Sequence, residues 1–376
     1  MAVYLDCNAT TPIDPRVRDA VILYMTEEFG NAGSRTHQFG QRANTAVQRA
    51  RDQVASVVNA SRDEIVFTSG ATESNNLAIL GLLPYGQQTA RKHIVSTAIE
   101  HKAVLEPLDY AVSQGFEVTL VPPTSGGWVD PAGVRNALRN DTVLVSVMQA
   151  NNETGVLQPL SEICEVLEGH EAFFHTDGAQ GFGKELETLR NPRIDLISVS
   201  GHKIYAPKGV GALVARRRGY HRPPLTPLQY GGGQEKGLRP GTLPVSLIVG
   251  LGLAAELALQ EHKMRAEKCW QHRHTALEAL MSLNPTFNGE PSRTLSHVLN
   301  MSFPGLDSEA AMLALKDDVA ISNGSACTSQ SYNPSHVLEA MRLSEDIVRG
   351  ALRISWCHMT PKVDWGQIVS TIRKLR

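Results

Sequence analysis

Charge of one sign is what this chain lacks most clearly: Lys and Arg number 36 and Asp and Glu 38, a formal net charge of −2 over 376 residues. That balance gives no global pull toward nucleic acid or an anionic membrane, so such a partner would need a local patch. The short basic run Arg216-Arg217-Arg218 is the one candidate, and it reads as a solvated strand end. Cysteine is scarce: the five are Cys7, Cys164, Cys269, Cys327 and Cys357. None falls in a CxxC pair, which leaves zinc-ribbon and dithiol readings without support, and no metal site is expected. An odd count without a leader suggests free thiols in a reducing compartment. Residues 1–6 have no basic stretch followed by an apolar run, so no signal peptide is expected. No stretch approaches the roughly 18 apolar residues of a membrane helix. Repeats and low-complexity tracts are absent too. A cytoplasmic protein is expected, with neither a membrane nor a direct nucleic-acid partner.

What is present is ordinary globular composition, 42% hydrophobic and 20% charged, at a length that suggests two or three domains. Short apolar, β-branched runs alternate with helical spacing. Expected strands are 64–68, 93–97, 117–121, 143–148, 172–175, 195–200 and 211–215; expected helices between them include 41–58, 74–81 and 160–167. Such alternation predicts an α/β domain around a mostly parallel sheet. One long helical pattern runs from Pro244 to about Leu283, and a smaller α+β region follows.

Ligands of open α/β sheets bind beyond the carboxyl ends of strands, and four segments place chemistry there. In Ile65–Ser74 a strand runs into small residues and a helix start; the free N–H groups around Ala71 and the Thr72 hydroxyl can cradle an anion, although a plain β–turn–α connection reads equally well. In Phe173–Gln180, Asp177 can pair with a protonated ring nitrogen or merely cap a helix. In Ile197–Gly209, Lys203 follows a buried strand, where a desolvated amine can condense with an aldehyde; Lys208 is the competing lysine, placed in the turn before Gly209. His101, between a strand and a helix, can stack on a ring and shuttle a proton, or be structural. Together these supply an anion cradle, an amine, an acid and a stacking ring, the set pyridoxal phosphate requires.

Ile321–Gln330 is a run of small polar residues around Cys327 that buries little apolar side chain, so this thiol should be accessible. Cys164 and Cys269 sit in helical patterns as packing residues, whereas Cys7 and Cys357 stay open as secondary thiols. Arg353 interrupts an apolar strand; it suits a substrate carboxylate, or an edge-strand salt bridge.

On these residues the sequence resembles the fold-type I, class V aminotransferase group, and within it the bacterial cysteine desulfurases. The likeness runs essentially the whole length, through Tyr4–Thr11, Phe29–Asn31, Thr68–Asn76, Asn151–Gly155, His175–Gln180, Ser200–Lys203, Gly231–Glu235, Gly241–Pro244 and Gly324–Ser329. It implies an N-terminal arm of the small domain (1–15), a large cofactor-binding domain (16–260) and a small C-terminal domain (261–376). It also implies roles. Lys203 would hold pyridoxal 5'-phosphate, Asp177 its ring nitrogen and Gln180 its hydroxyl, with His101 stacked on the ring. Thr72, Ser200 and His202 would bind the phosphate and Thr242 the phosphate in the partner subunit of a homodimer, with Ala71 and Asn152 also at the cofactor. Asn152, Arg353 and Asn8 would fix the substrate. Cys327 would take sulfur from L-cysteine, leaving alanine and a persulfide for a sulfur-acceptor protein. The segments 238–242 and 353–356 look most like desulfurases of DNA phosphorothioate modification, against general iron–sulfur cluster or tRNA thiolation service. Competing readings are an aminotransferase or selenocysteine lyase on this scaffold, or a docking protein that has lost catalysis.

Overall fold

The computed structural model describes residues 2–324 and 334–376; Cys327 lies outside the described residues. In chain order the strands are β1 (Val3–Tyr4), β2 (Ile65–Thr68), β3 (His93–Thr97), β4 (Glu117–Val121), β5 (Thr142–Ser146), β6 (Phe173–Asp177), β7 (Leu196–Ser200), β8 (Gly211–Ala215), β9 (Thr286–Phe287), β10 (Val298–Ser302), β11 (Val319–Ala320) and β12 (Ala351–Ser355). β2 to β8 form the main sheet, in the order β2-β8-β7-β6-β5-β3-β4. Its neighbours are parallel except for β8, which is antiparallel to β2 and β7. The seven strands expected from the apolar runs are these seven, three of them with the expected ends and the rest displaced by at most two residues.

Successive side chains of a strand point to opposite faces. Ile65 and Phe67 enter one core and Val66 the other; Ile197 and Val199 are divided from Leu196 in the same way, and Ala212 and Val214 from Leu213. Because both faces are covered, these strands read as continuous apolar runs. The helices Gln38–Val57, Leu160–Val166 and Val245–Gln260 pack on one face, and Ala71–Leu80 and Lys102–Ser113 on the other. Each fully buried Leu, Ile or Phe contributes roughly 1.5–3 kcal/mol.

A smaller antiparallel sheet has the order β12-β10-β9, and β1 pairs in parallel with β11. Leu5 enters the core beneath it with Leu299, Ile354 and Trp356, so the first residues of the chain fold with the last third.

Two expectations are corrected. The long helical pattern from Pro244 is two helices, Val245–Gln260 and His262–Leu280, with a 76° bend between them. The break falls at Glu261, whose carboxylate accepts from Arg16 Nη2 (3.0 Å) and Arg265 Nη2 (2.9 Å), contacts that hydropathy spacing does not register. Arg216 is buried, not solvated: its Nη2 donates to the carbonyls of Val58 (2.6 Å) and Leu189 (2.7 Å). Its long stem reaches loop-end carbonyls. No single helix among the described residues is long and apolar enough to cross a membrane.

Candidate active site

At the end of β2 the chain turns through Ser69 and Gly70 into the helix Ala71–Leu80, whose first N–H groups have no partner within the helix. The turn is pinned by the Thr68 and Ser74 hydroxyls, 2.8 Å apart, and by Ser69 N–H donating to Glu73 Oε2 at 2.7 Å. The loop also needs a bare neighbour. A Cβ on Gly211 of β8 would lie 2.3 Å from Val199 O and 2.5 Å from Gly70 Cα, so only glycine lets the turn close on the sheet. Ala71 and Thr72 thereby face a cavity of about 520 Å³, with Ser200 and His202 also on its wall.

β7 ends at Ser200, and a single 3-10 turn, Gly201–Lys203, aims the lysine into the same cavity. Its Nζ donates to the backbone carbonyls of Asn8 and of Ala9, the latter at 2.9 Å. Those carbonyls belong to the N-terminal arm, which is fastened where Thr11 N–H and Oγ1 donate to His202 O at 2.9 and 3.0 Å. Tyr205 just beyond has φ +71°, a left-handed conformation unusual for an aromatic residue. It is held by its N–H to Thr11 Oγ1 (3.0 Å) and by the Arg265 guanidinium 5.0 Å over its ring. Burial, with the Lys203 charge beside it, pushes His202 down to about 4, so it is neutral at pH 7.

Asp177 closes β6. Its Oδ2 accepts from Asn75 Nδ2 at 2.7 Å and its Oδ1 from Ala179 N–H at 2.9 Å. His101 caps the helix Lys102–Ser113, its Nδ1 accepting from Ala103 N–H at 3.0 Å. That bond fixes the ring and leaves Nε2 as the nitrogen that carries the proton. Gln180 Nε2 donates to Asn8 O at 3.0 Å. Arg353, on β12, donates from Nη1 to Asn152 O (3.0 Å) and from Nη2 to Asp6 Oδ1 (2.7 Å).

Within this cavity wall, Asn8 Oδ1, Asn152 Oδ1, Gln180 Oε1 and Arg353 Nε are buried with no hydrogen-bond partner among the described residues. A buried polar atom left unmade costs about 1–3 kcal/mol, and the four residues that carry these atoms all line one cavity. The donor set fits pyridoxal phosphate: an amine for its aldehyde, a carboxylate for its ring nitrogen, and hydroxyls beside a helix start for its phosphate.

Asn8, Ala71, Thr72, His101, Asn152, Asp177, Gln180, Ser200, His202, Lys203 and Arg353 all line this cavity, and Lys208 lines it too. Thr242 does not: it is exposed on the loop before the helix Val245–Gln260. Three contributors had no role from sequence. Asn75 sits three residues after Thr72, on the same face of its helix, a spacing that pointed to it. Asp6 pairs with Arg353 across the chain and left no local signal. Glu100 is fully buried behind His101; its Oε1 accepts from Thr97 Oγ1 (2.9 Å) and Met148 N–H (2.8 Å), and burial raises it to about 8.

A family model described as aminotransferase class-V matches residues 3–364. The chain therefore belongs to the class-V aminotransferase family, and within it to the cysteine desulfurases, enzymes that work with pyridoxal phosphate. It is 44% identical over 387 residues to "Cysteine desulfurase IscS" of Rickettsia prowazekii, covering 100% of this chain and 92% of that one. Among solved structures it resembles a "NIFS-like protein" (TM-score 0.91, 35% identity, 100% and 99% of the two chains). DndA from Streptomyces lividans is also similar, with a TM-score of 0.83 and 50% identity over 94% of this chain and 99% of the other.

Proposed function

We propose that this chain removes sulfur from L-cysteine, releasing L-alanine and leaving a persulfide on Cys327. The observation that carries the reading is the gathering of Lys203, Asp177, His101 and Arg353 around one cavity with orphaned buried polar atoms. In this reading residues 16–260 form the cofactor-binding unit, while 1–15 and 261–376 form the smaller unit that bears Cys327.

When bound, pyridoxal phosphate supplies an electron sink for bond cleavage beside the substrate nitrogen. Lys203 would hold it through Nζ, and the same amine would move a proton beside the substrate. Asp177, aimed by Asn75 and Ala179, would keep a proton on the ring nitrogen. Gln180 would meet the ring hydroxyl through its orphaned Oε1, and Ala71, Thr72, Ser200 and His202 would take the phosphate. His101 would cover the ring and hold or move a proton at Nε2. Arg353, Asn152 and Asn8 would orient the substrate, with Arg353 Nε directed to its carboxylate. Thr242, exposed on its own chain, is read as reaching the phosphate of a second copy, which makes the working unit a homodimer. A reducing, cytoplasmic setting suits the four buried cysteines that remain unpaired among the described residues.

The test is to add L-cysteine to the purified yellow protein and follow alanine, with the persulfide mapped by mass. Wild type should yield both, with the extra sulfur on Cys327; Cys327→Ser should keep the cofactor band and make neither. Native-rate desulfuration by that variant overturns the reading. A substrate panel separates the aminotransferase and selenocysteine lyase alternatives.

For the acceptor, segments 238–242 and 353–356 and the 50% identity to DndA support service to DNA phosphorothioate modification over general iron–sulfur or tRNA thiolation supply. Restoration of DNA phosphorothioates by this gene in a host lacking its own such desulfurase, without restoration of iron–sulfur enzymes, is the expected result.

A further inference from the structure

Cys7 and Cys357 take no part in the reading above. Both are buried, at 1% and 2% exposure, and pack together in one small cluster. They arrive from opposite ends of the chain: Cys7 N–H donates to Ser355 O at 3.1 Å, and Cys357 lies two residues further on. Tyr205 and Met359 close over them.

The pocket they occupy is electrostatically unusual. Lys184 is half-buried, with its Nζ 3.2 Å from His297 Nε2; burial, and then the Lys184 charge, hold that histidine well below its usual value. No carboxylate pairs with Lys184 among the described residues; the acids that face it are the thiols of Cys7, Cys269 and Cys357. An ammonium facing thiols favours a thiolate. Donors decide which sulfur carries the charge. Thr360 Oγ1 donates to Cys357 Sγ at 3.7 Å. Cys357 is pushed down and Cys7 is pushed up. Tyr205, Arg265 and His358 are the other titratable neighbours. Thr360 and His358 also line an open surface groove.

We infer that Cys7 and Cys357 form a redox site, distinct from Cys327, that hydrogen peroxide converts to a disulfide. The Cys357 thiolate attacks one peroxide oxygen; the O–O bond breaks, hydroxide leaves, and Cys357 becomes a sulfenic acid. Cys7, as thiolate, attacks that sulfur, and water leaves with the thiol proton. The two sulfurs lose two electrons and the peroxide gains them. The bond would fasten residue 7 to the chain just beyond β12, next to Asn8, whose carbonyl accepts from Lys203 and Gln180.

The experiment uses the cofactor-loaded Cys327→Ser protein, so that neither Cys327 nor the desulfurase reading enters the result. It is treated with hydrogen peroxide, unfolded, alkylated and mapped by mass without reduction. Expected is a peptide joining Cys7 to Cys357, lighter by two hydrogens and separated again by dithiothreitol. With Cys7→Ser in the same background, a dimedone adduct should appear on Cys357 instead. Recovery of Cys7 and Cys357 as alkylated free thiols, or cross-links spread equally over Cys164 and Cys269, overturns the proposal.

Discussion

Asn75 donates its side-chain N–H to Asp177 Oδ2 at 2.7 Å, joining a helix start to a strand end 102 residues away. With Ala179 N–H on the other oxygen, the carboxylate has one orientation. Asn75 thus does for Asp177 what the arm carbonyls do for Lys203: it aims a group whose chemistry depends on direction.

Replacing Asn75 by Ala removes a hydrogen bond to a charged group, worth about 1.5–3 kcal/mol, so cofactor retention should weaken by roughly 10- to 150-fold. Titration of the apo variant with pyridoxal phosphate, followed by absorbance, checks this. Retention equal to wild type would mean Asp177 is held without it.

Glu100 makes a prediction in pH. Burial raises its folded value from 4.5 to about 8. Between those values the folded chain keeps a proton that the unfolded chain has lost, so stability falls as pH rises, by about 1.4 kcal/mol per pH unit at most from this group. His175, pushed down to about 4 from 6.5, acts oppositely below pH 6.5. The clean measurement is therefore a difference. Glu100→Gln keeps an acceptor for Thr97 and Met148 but cannot ionise, so its urea midpoint should gain on wild type steadily from pH 5 to 8.

Arg51 and Glu235 form a buried two-pronged ion pair, at 2.8 and 2.6 Å, and Glu235 Oε2 also accepts Phe67 N–H of β2 at 2.7 Å. Removing one partner of such a pair strands the other charge, so Glu235→Ala should cost about 3–5 kcal/mol by chemical denaturation. Replacing Arg51 and Glu235 together by apolar residues should cost less.

Arg353→Lys keeps the charge but loses the fork that serves Asn152 O and Asp6 together. Under the proposed role, KM for cysteine should rise by roughly tenfold or more with a smaller change in kcat. A fall in kcat alone would assign Arg353 to holding the arm.

The main sheet was legible because its inner strands are buried on both faces, as neighbours such as Leu196 and Ile197 of β7 show, while the edge strand β4 is largely exposed. The cavity was legible because its key side chains sit where strands end: Lys203 after β7, Asp177 at the end of β6, Thr72 after β2. What stayed hidden are pairings made by long side chains across the fold. Glu261, at the break between two helices, pairs with Arg16, 245 residues away, and Arg216 is hidden at a strand end where it donates to the Val58 carbonyl. Neither leaves a periodic trace. Asp6 on Arg353 was invisible for the same reason. Cys327, the residue on which the chemistry was staked, lies outside the described residues.

The arm that cradles Lys203 has a consequence for biosynthesis. Asn8 is kept in place by Ser355, whose Oγ accepts Asn8 N–H at 2.9 Å, and β1 by its pairing with β11. Asn8 must therefore wait for Ser355, 347 residues later in the chain, before it is fastened beneath the lysine. All seven strands of the large sheet precede Ser355 in translation, so the sheet can assemble before the lysine site is complete.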